Sequence, residues 1–466
     1  MFSEETQMTA RNKKKSFRVG KVAAYLRGEV WYLNYTEHGQ RRRPRVGTDC
    51  NAARQLAAQI NAQLETGEST VLSFEPISIA ELQSRWLEHY DSVLRTSVNT
   101  ISRYRAATNH LIRFVKSSPV GRTTAQFRVG HAEEFVRHLR TIRVSPNGHP
   151  NARLRPLLDK GVLYILLVCR TMFNYATKRR HLPPYAENPF GALEFDRMPI
   201  ENAKPIVLFT PDQERDFLEA CDDWQFPVFL TLMLTGLRPG ELTHLLLSDD
   251  LDIDGQLLRV QNKPGLGWRV KTRNEREIPL IDPLCKVLRW MIGNRTSGPV
   301  FLRRDLTNGQ APPLVGQIAV QLESEITSRV GQAEEERNES LNRVEIQGVA
   351  RKVWRDAGAV LPNTIRSEFV RVCREIGLPH LTAPKMLRHA FATALQDANV
   401  DPLIRCELMG HAVGGSVLSG RGLGMTTTYT HTRPETRRRQ LEAALTQRSA
   451  VAAASHWLES TTPYGC

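Results

Sequence analysis

Between Pro183 and Pro205 the chain carries five prolines, Pro183, Pro184, Pro189, Pro199 and Pro205, with little hydrophobic periodicity. Proline removes a backbone donor and fixes φ, so a stretch this dense in it cannot be a helix interior or a central strand. The pattern predicts an inter-domain linker, with separate folded bodies on either side. The 466 residues are enough for roughly two to four such bodies.

A formal net charge of +14 suits a polyanionic partner, either nucleic acid or an anionic membrane surface. It also fits a basic protein with no such partner. No apolar run is long enough to span a bilayer, and Met1 to Arg18 is polar and Lys-rich, unlike a secretory signal. The seven cysteines are scattered and form no CxxC pair, so neither a zinc ribbon nor a disulfide framework is expected. A reducing cytoplasm is the expected compartment.

The expected fold is mainly α with small β elements, in three parts. Residues 16–67 read as a sheet plus a helix. Strands are predicted at Lys21–Leu26, Val30–Tyr35 and Arg41–Val46, with Trp31, Leu33 and Tyr35 on one face and Leu56, Ile60 and Leu64 on the helix. Between Lys21 and Arg45, the basic Lys21, Arg27, Arg41, Arg42, Arg43 and Arg45 face only Glu29 and Glu37. Such a run is either a solvated face or a basic ribbon that reads a DNA groove. Residues 76–188 read as helical. Ser78 and Glu81 form a capping box, helices are predicted at Ile101–Val115, Ala132–Thr141 and Leu158–Lys178, and Arg103 and Arg105 lie on a polar face. Taken alone, this part reads first as a generic helical bundle.

The third part, residues 205–445, opens with Thr210-Pro211, an N-cap followed by proline at the first helical position. Short strands are predicted at Leu257–Val260, Trp268–Lys271 and Arg276–Leu280. Residues 310–362 look like a charged, helical insertion, and 446–466 like a tail.

Five short strings in this part bear on chemistry. Thr235-Gly236-Leu237-Arg238-Pro239-Gly240-Glu241-Leu242 sets an arginine between two helices, where a guanidinium can fork onto a phosphate. Lys271, in Val270-Lys271-Thr272-Arg273, is a mobile cation on a turn. Lys385 and Arg388 share one helical face, opposite a stripe of Leu387, Phe391 and Leu395, while His389 points elsewhere. His411 follows a helix-ending Gly410, and Tyr429 sits in Thr427-Thr428-Tyr429-Thr430-His431. Taken singly, each string reads as surface or packing.

Taken in order, TGLRPGEL, LRHAFAT, MGH and TTTYTH resemble the tyrosine recombinase (phage integrase) family over roughly residues 20–435, apart from the insertion. The resemblance implies catalytic roles for Arg238, Lys271, Arg388, His411 and Tyr429. Lys385 stands where the family's His-x-x-Arg pair has histidine, and the span from His411 to Tyr429 is longer than usual. The first part resembles an arm-site-binding domain and the second a core-binding domain.

The implied chemistry is attack of Tyr429 on a DNA phosphate, giving a 3′-phosphotyrosine and a free 5′ hydroxyl, with no metal or other cofactor. The link conserves bond energy, and no GxxxxGK[ST] nucleotide loop is present. The implied partners are double-stranded DNA, three further copies of the chain in a homo-tetramer, and DNA-bending accessory proteins, with no membrane. The place of action would be the cytoplasm, on the nucleoid. The alternatives are a type IB topoisomerase-like enzyme and a non-catalytic DNA-binding relic. A helix after Tyr429 with Leu441, Ala444 and Leu445 on one face is expected to dock on a neighbouring subunit.

Overall fold

The computed structural model describes residues 15–117, 121–145, 151–201, 207–308, 313–411 and 432–461. It is mostly helical, with a small antiparallel sheet near the N-terminus. Two compact units divide it, Met1–Lys204 and Pro205–Cys466. No helix among the described residues is long and apolar enough to cross a membrane.

The first unit begins with a five-stranded antiparallel sheet: β1 (Ser16–Val19), β2 (Val22–Arg27), β3 (Val30–Glu37), β4 (Gln40–Arg42) and β5 (Arg45–Gly47). Strand β3 alternates strictly, so Trp31, Leu33 and Tyr35 turn inward beside Val22 and Ala24. Helix α1 (Cys50–Glu65) covers that face with Ala53, Ala57 and Ile60. The single strand expected over Arg41–Val46 is split at Pro44. Pro44 has no N–H for a ladder, although its carbonyl accepts from Leu33 N at 3.0 Å.

Four helices follow: α2 (Ile79–Glu88), α3 (Val98–Ser117), α4 (Val129–Thr141) and α5 (Asp159–Lys178). Ser78 caps α2 by accepting from Glu81 N at 3.1 Å. A two-stranded ribbon, β6 (Arg143–Val144) with β7 (Arg155–Pro156), precedes α5. The proline-dense stretch is not a free linker through most of its length. Phe190 is fully buried, stacked on Phe127 at 5.7 Å and packed on Phe173 at 5.3 Å. The unit boundary falls only at Lys204–Pro205. Proline density marked irregular chain correctly, but one large aromatic was enough to bind that chain to a core.

The second unit opens with α6 (Pro211–Glu219). Thr210 accepts from Gln213 N at 3.2 Å, and Gln213 Oε1 accepts from Thr210 N at 3.0 Å. Helix α7 (Gln225–Thr235) is buried at every position and forms the centre of the unit. After α8 (Pro239–Leu242) and α9 (Leu247–Asp250) comes a three-stranded sheet, β8 (Leu251–Asp252), β9 (Leu257–Val260) and β10 (Arg276–Pro279). The strand expected at Trp268–Lys271 does not form. Trp268 makes only an isolated bridge with Lys263, across a turn at Pro264–Gly267.

Helix α10 (Asp282–Ile292) follows, and then the insertion folds as two helices, α11 (Ala319–Arg337) and α12 (Arg343–Asp356), around a small core that also takes in Leu246 and Leu266. Helices α13 (Pro362–Glu375), α14 (Lys385–Asp397) and α15 (Pro402–Met409) complete the frame. Leu387, Phe391 and Leu395 of α14 are all fully buried.

The face expected to reach a neighbouring subunit is used within this chain. In α16 (Pro434–Thr446), Leu441, Ala444 and Leu445 are buried in the same core as α7. The expected tail also packs there. Helix α17 (Ser449–Ser460) buries Ala450 and Ala454 and stacks Trp457 on Phe226, with ring centroids 4.7 Å apart. The apolar pattern required a partner surface, which α14 and β10 supply for α16 and which α6, α10 and α7 supply for α17.

Candidate active site

Helix α7 ends at Gly236 with φ 61° and ψ 21°, a left-handed cap. A Cβ there would lie 2.3 Å from Phe391 Cδ1, so only glycine lets the end of α7 rest on α14. Two residues on, Arg238 is the N-cap of α8, in extended backbone. Glu241 lies at the third helical position and turns back. Its Oε2 accepts from Arg238 N at 2.9 Å and its Oε1 from Arg238 Nη1 at 2.6 Å.

Glu241 is buried and holds more than one arginine. Arg276 of β10 donates Nη2 to Oε2 at 2.7 Å and Nη1 to Oε1 at 3.3 Å, and its Nε reaches Leu408 O at 2.9 Å. Arg388 of α14 comes within 3.9 Å of Glu241 Oε2. Its Nη1 donates to Gly236 O at 2.6 Å and its Nη2 to Met409 O. His411 follows Gly410, the left-handed cap of α15, and its Nε2 is 3.4 Å from Arg388 Nη2. Arginine can only donate, so Nε2 accepts and the imidazole proton sits on Nδ1.

Three guanidiniums face one carboxylate, +3 − 1 = +2, in a largely buried setting. Burial alone would raise the Glu241 pKa, but the Arg276 hydrogen bonds and charge, with Arg238, hold it below the usual carboxylate range. Burial, then Arg238 and Arg276, pull Arg388 down to about 10, against a weaker upward pull from Glu241; it remains a cation at neutral pH. Burial, then Arg388, Arg238 and Arg276, lower His411, so the ring is mostly neutral at pH 7. An uncompensated positive pocket of this kind favours an anion with several acceptor oxygens, such as a phosphodiester.

The structure therefore brings together Arg238, Arg388 and His411. Lys271 is exposed on a turn between β9 and β10, and Lys385 is exposed as the first residue of α14. Neither makes a hydrogen bond or ion pair to the cluster among the described residues. His389 is half-buried, and burial, Lys385 and Arg388 lower its pKa. Tyr429, His431 and the glycine-bearing span Ala412–Met425 lie outside the described residues. Thr432, where description resumes, lies with Oγ1 3.1 Å from Glu407 Oε1 on α15.

Two residues of the cluster, Glu241 and Arg276, were not picked out from sequence. Both had a signal. An acid three residues after a helix-opening Arg238 has the spacing of a reciprocal cap. In Arg276-Glu277-Ile278-Pro279, alternation puts Arg276 on the same inward face as Ile278. A charge there requires a buried partner.

The basic residues of the first unit divide by environment. Lys21 is exposed beside α1, with its backbone N donating to Asn61 Oδ1 at 2.7 Å and its Nζ to Leu64 O at 3.5 Å. Arg42 is half-buried, 3.9 Å from the buried Glu37. Arg27, Arg41, Arg43 and Arg45 are exposed, near a stacked Tyr25–Tyr32 pair 5.8 Å apart. On α3, Arg103 lies over the Tyr164 ring at 4.8 Å, and Arg105 is exposed.

The model of the phage integrase family matches residues 208–435. No curated protein sequence matches the chain. Three solved structures are similar to it at low identity. The integrase of the Tn1549 transposon, in complex with circular intermediate DNA, aligns with TM-score 0.49 and 19% identity, covering 78% of this chain and 99% of that one. A lambda integrase dimer bound to a COC′ core site gives TM-score 0.41 and 14% identity over 89% and 96% of the two chains. The integrase from mycobacterium phage Brujita gives 0.32 and 14% over 80% and 97%.

Proposed function

We propose that this chain, a tyrosine-type site-specific recombinase by its phage integrase family domain at residues 208–435, breaks and rejoins DNA through a 3′-phosphotyrosine at Tyr429. The observation that supports this reading most is the joining of Arg238, Arg388 and His411 around Glu241 from segments far apart in sequence. Arg388 Nη1 carries a second N–H beyond the one bound to Gly236 O, and Arg238 is partly exposed. These donors would bind the non-bridging oxygens of the scissile phosphate as charge builds on them. The His411 Nδ1–H would add another.

In the step itself, Tyr429 Oη forms the bond to phosphorus and the bond to the 5′ oxygen breaks. Lys271 gives its proton to that oxygen. The tyrosine hydroxyl, with an ordinary pKa near 10, loses its proton to water or to Lys385. The side-chain cations carry the charge stabilisation, and attack by the 5′ hydroxyl reverses the step without a nucleotide. Four protomers would act on two duplexes, and the first unit would hold a second DNA site. DNA-bending proteins are the accessory partners of this reading, and the cytoplasmic nucleoid is its place. Within this chain the apolar faces of α16 and α17 pack into the core of the second unit.

Covalent capture tests the reading. The protein is incubated with a pool of random-sequence nicked duplexes that trap the cleaved state, and the junctions are mapped. Wild type should yield DNA linked through Tyr429, and Tyr429→Phe should bind DNA without adduct. Adduct in Tyr429→Phe would reassign the nucleophile. Relaxation of a supercoiled plasmid irrespective of sequence would favour the topoisomerase-like alternative, and DNA binding with no adduct at all the relic.

A further inference from the structure

Residues 261–275 join β9 to β10, a connection of 15 residues where a hairpin commonly needs about two to five. This connection carries Lys271, and without support it would sample many positions. It is held at three points. Lys263 Nζ pairs with Asp250 at 2.7 Å to Oδ2 and 2.8 Å to Oδ1, both side chains buried. Leu266 is buried among Leu246, Leu322, Ala350 and Trp354, and its carbonyl accepts from Trp354 Nε1 at 3.0 Å. Trp268 lies flat on His244, with centroids 3.8 Å apart and planes 10° apart.

The second and third points lead to the insertion. Trp354 of α12 meets the other side of His244 edge-on at 4.8 Å. His244 Nδ1 donates to Gly240 O at 2.8 Å, two residues beyond Arg238. Burial holds the His244 pKa at about 4, so the ring is neutral and no charge disturbs the stack near pH 7. Gly267, at φ +68°, presses against Ala350, where a Cβ would come within 2.7 Å. The inserted helices thus form a wall behind the Lys271 connection, and through Trp354 the same wall touches His244, just past the end of α8.

We propose that the inserted pair α11–α12 positions Lys271 for proton donation to the departing 5′ oxygen, with Trp354 as the positioning residue acting through Leu266 and the His244–Trp268 stack. This rests on the reading of Lys271 as the proton donor. A shift of about 1 Å in a reacting group can cost on the order of 100-fold in rate.

The test separates positioning from simple loss of structure. The duplex that wild type captures from the random pool is resynthesised with sulfur in place of the bridging 5′ oxygen at the mapped junction. A thiolate is a far better leaving group than an alkoxide and needs no proton donor. Trp354→Phe keeps a packed ring and loses the N–H, while Trp354→Ala loses both. Single-turnover cleavage of all-oxygen DNA should slow by roughly 10- to 100-fold in these variants. On the sulfur-bridged DNA both should recover to within about threefold of wild type, as Lys271→Ala should. Combining Trp354→Phe with Lys271→Ala should cost no more than Lys271→Ala alone. Equal slowing on both DNAs, full additivity with Lys271→Ala, or an unimpaired Trp354→Phe would each overturn the proposal. Should Trp354→Ala fail to fold, Trp354→Phe decides. If wild type captures no DNA from the pool, the parent reading fails and this one with it. A wild type that cleaves beside variants the sulfur does not rescue sinks the positioning role alone.

Discussion

Arg276 and Glu241, 35 residues apart in sequence, meet as a buried two-point ion pair, with Nη2 to Oε2 at 2.7 Å and Nη1 to Oε1 at 3.3 Å. Through Leu408 O the same guanidinium also holds the end of α15. One arginine therefore ties together the strand after Lys271, the helix after Arg238 and the helix before His411. The relative placing of the proposed catalytic groups depends on a pair that need not touch DNA.

Removing the carboxylate should strand its arginines. Glu241→Ala is expected to destabilise the second unit by about 3–5 kcal/mol, the range for breaking a buried pair from one side. Glu241→Gln keeps an acceptor and should cost less. Urea denaturation measures the stability, and covalent capture should show both variants impaired. A Glu241→Ala protein as stable as wild type would mean that the arginines find solvent or other partners on their own.

His244 should make stability fall with acid. Its native pKa of about 4 lies below the unfolded value of 6.5. The unfolded chain therefore takes up the proton first as pH drops. The contribution is complete above pH 6.5 and is lost progressively as pH falls toward 4. Between pH 7 and 5 it amounts to about 2 kcal/mol. His244→Phe keeps a ring on Trp268 but cannot titrate, so its urea stability should change less over that interval by this amount. Parallel curves for the two proteins would count against a buried neutral histidine.

Lys385 should act as a phosphate cation. Lys385→Arg keeps the charge and should cleave at near the wild-type rate, while Lys385→Ala should be severely slowed. The alternative, in which Lys385 is the base, requires Lys385→Arg to be as inactive as Lys385→Ala. It also requires Lys385→His to stay active with its pH–rate limb moved toward about pH 6–7. Single-turnover pH profiles distinguish the two.

The sheet module should bind DNA separately from the cleavage site. Val71 and Leu72 pack on its core, and Glu75 instead bonds Arg180 and His181 beside α5. A deletion should therefore end at residue 73. Footprinting of the shortened protein should lose one protected site and keep the site of cleavage. Binding by the lost site should weaken steeply with salt in the full chain. An unchanged footprint would remove the arm-binding reading.

Leu441 should matter for folding of the single chain. It is fully buried, and Leu441→Ala should cost about 2–5 kcal/mol. The loss should be the same at every protein concentration, as measured by urea denaturation over a wide dilution series. A loss that vanishes on dilution would instead place this face between subunits.

Locally encoded features were legible in the sequence. Thr210 and Ser78 announce helix starts, Gly236 and Gly410 announce helix ends, and the alternation of Trp31, Leu33 and Tyr35 announces a strand face. Each needs only a few neighbouring residues. The Arg238, Arg388 and His411 set was legible because its strings are specific in combination. Partner choice was not legible. Phe190 could not be assigned to a core, nor Leu441 to its own unit, because a hydrophobic pattern says that a face is buried and not by what.

The packing of α17 constrains how the protein is made. Arg448 donates to Glu214 across 234 residues and to Met233 O across 215, and Trp457 covers Phe226. A ribosome adding about 5–20 residues per second needs roughly 10–50 s to pass from Glu214 to Arg448. Throughout that time the nascent α6 and α7 lack their closing partners and expose an apolar surface that chaperones recognise. The pocket of Arg238 and Arg388 rests on α7, so it gains its finished frame only after Tyr429 has already been synthesised. A nascent chain halted earlier would hold the arginines and no completed support for them.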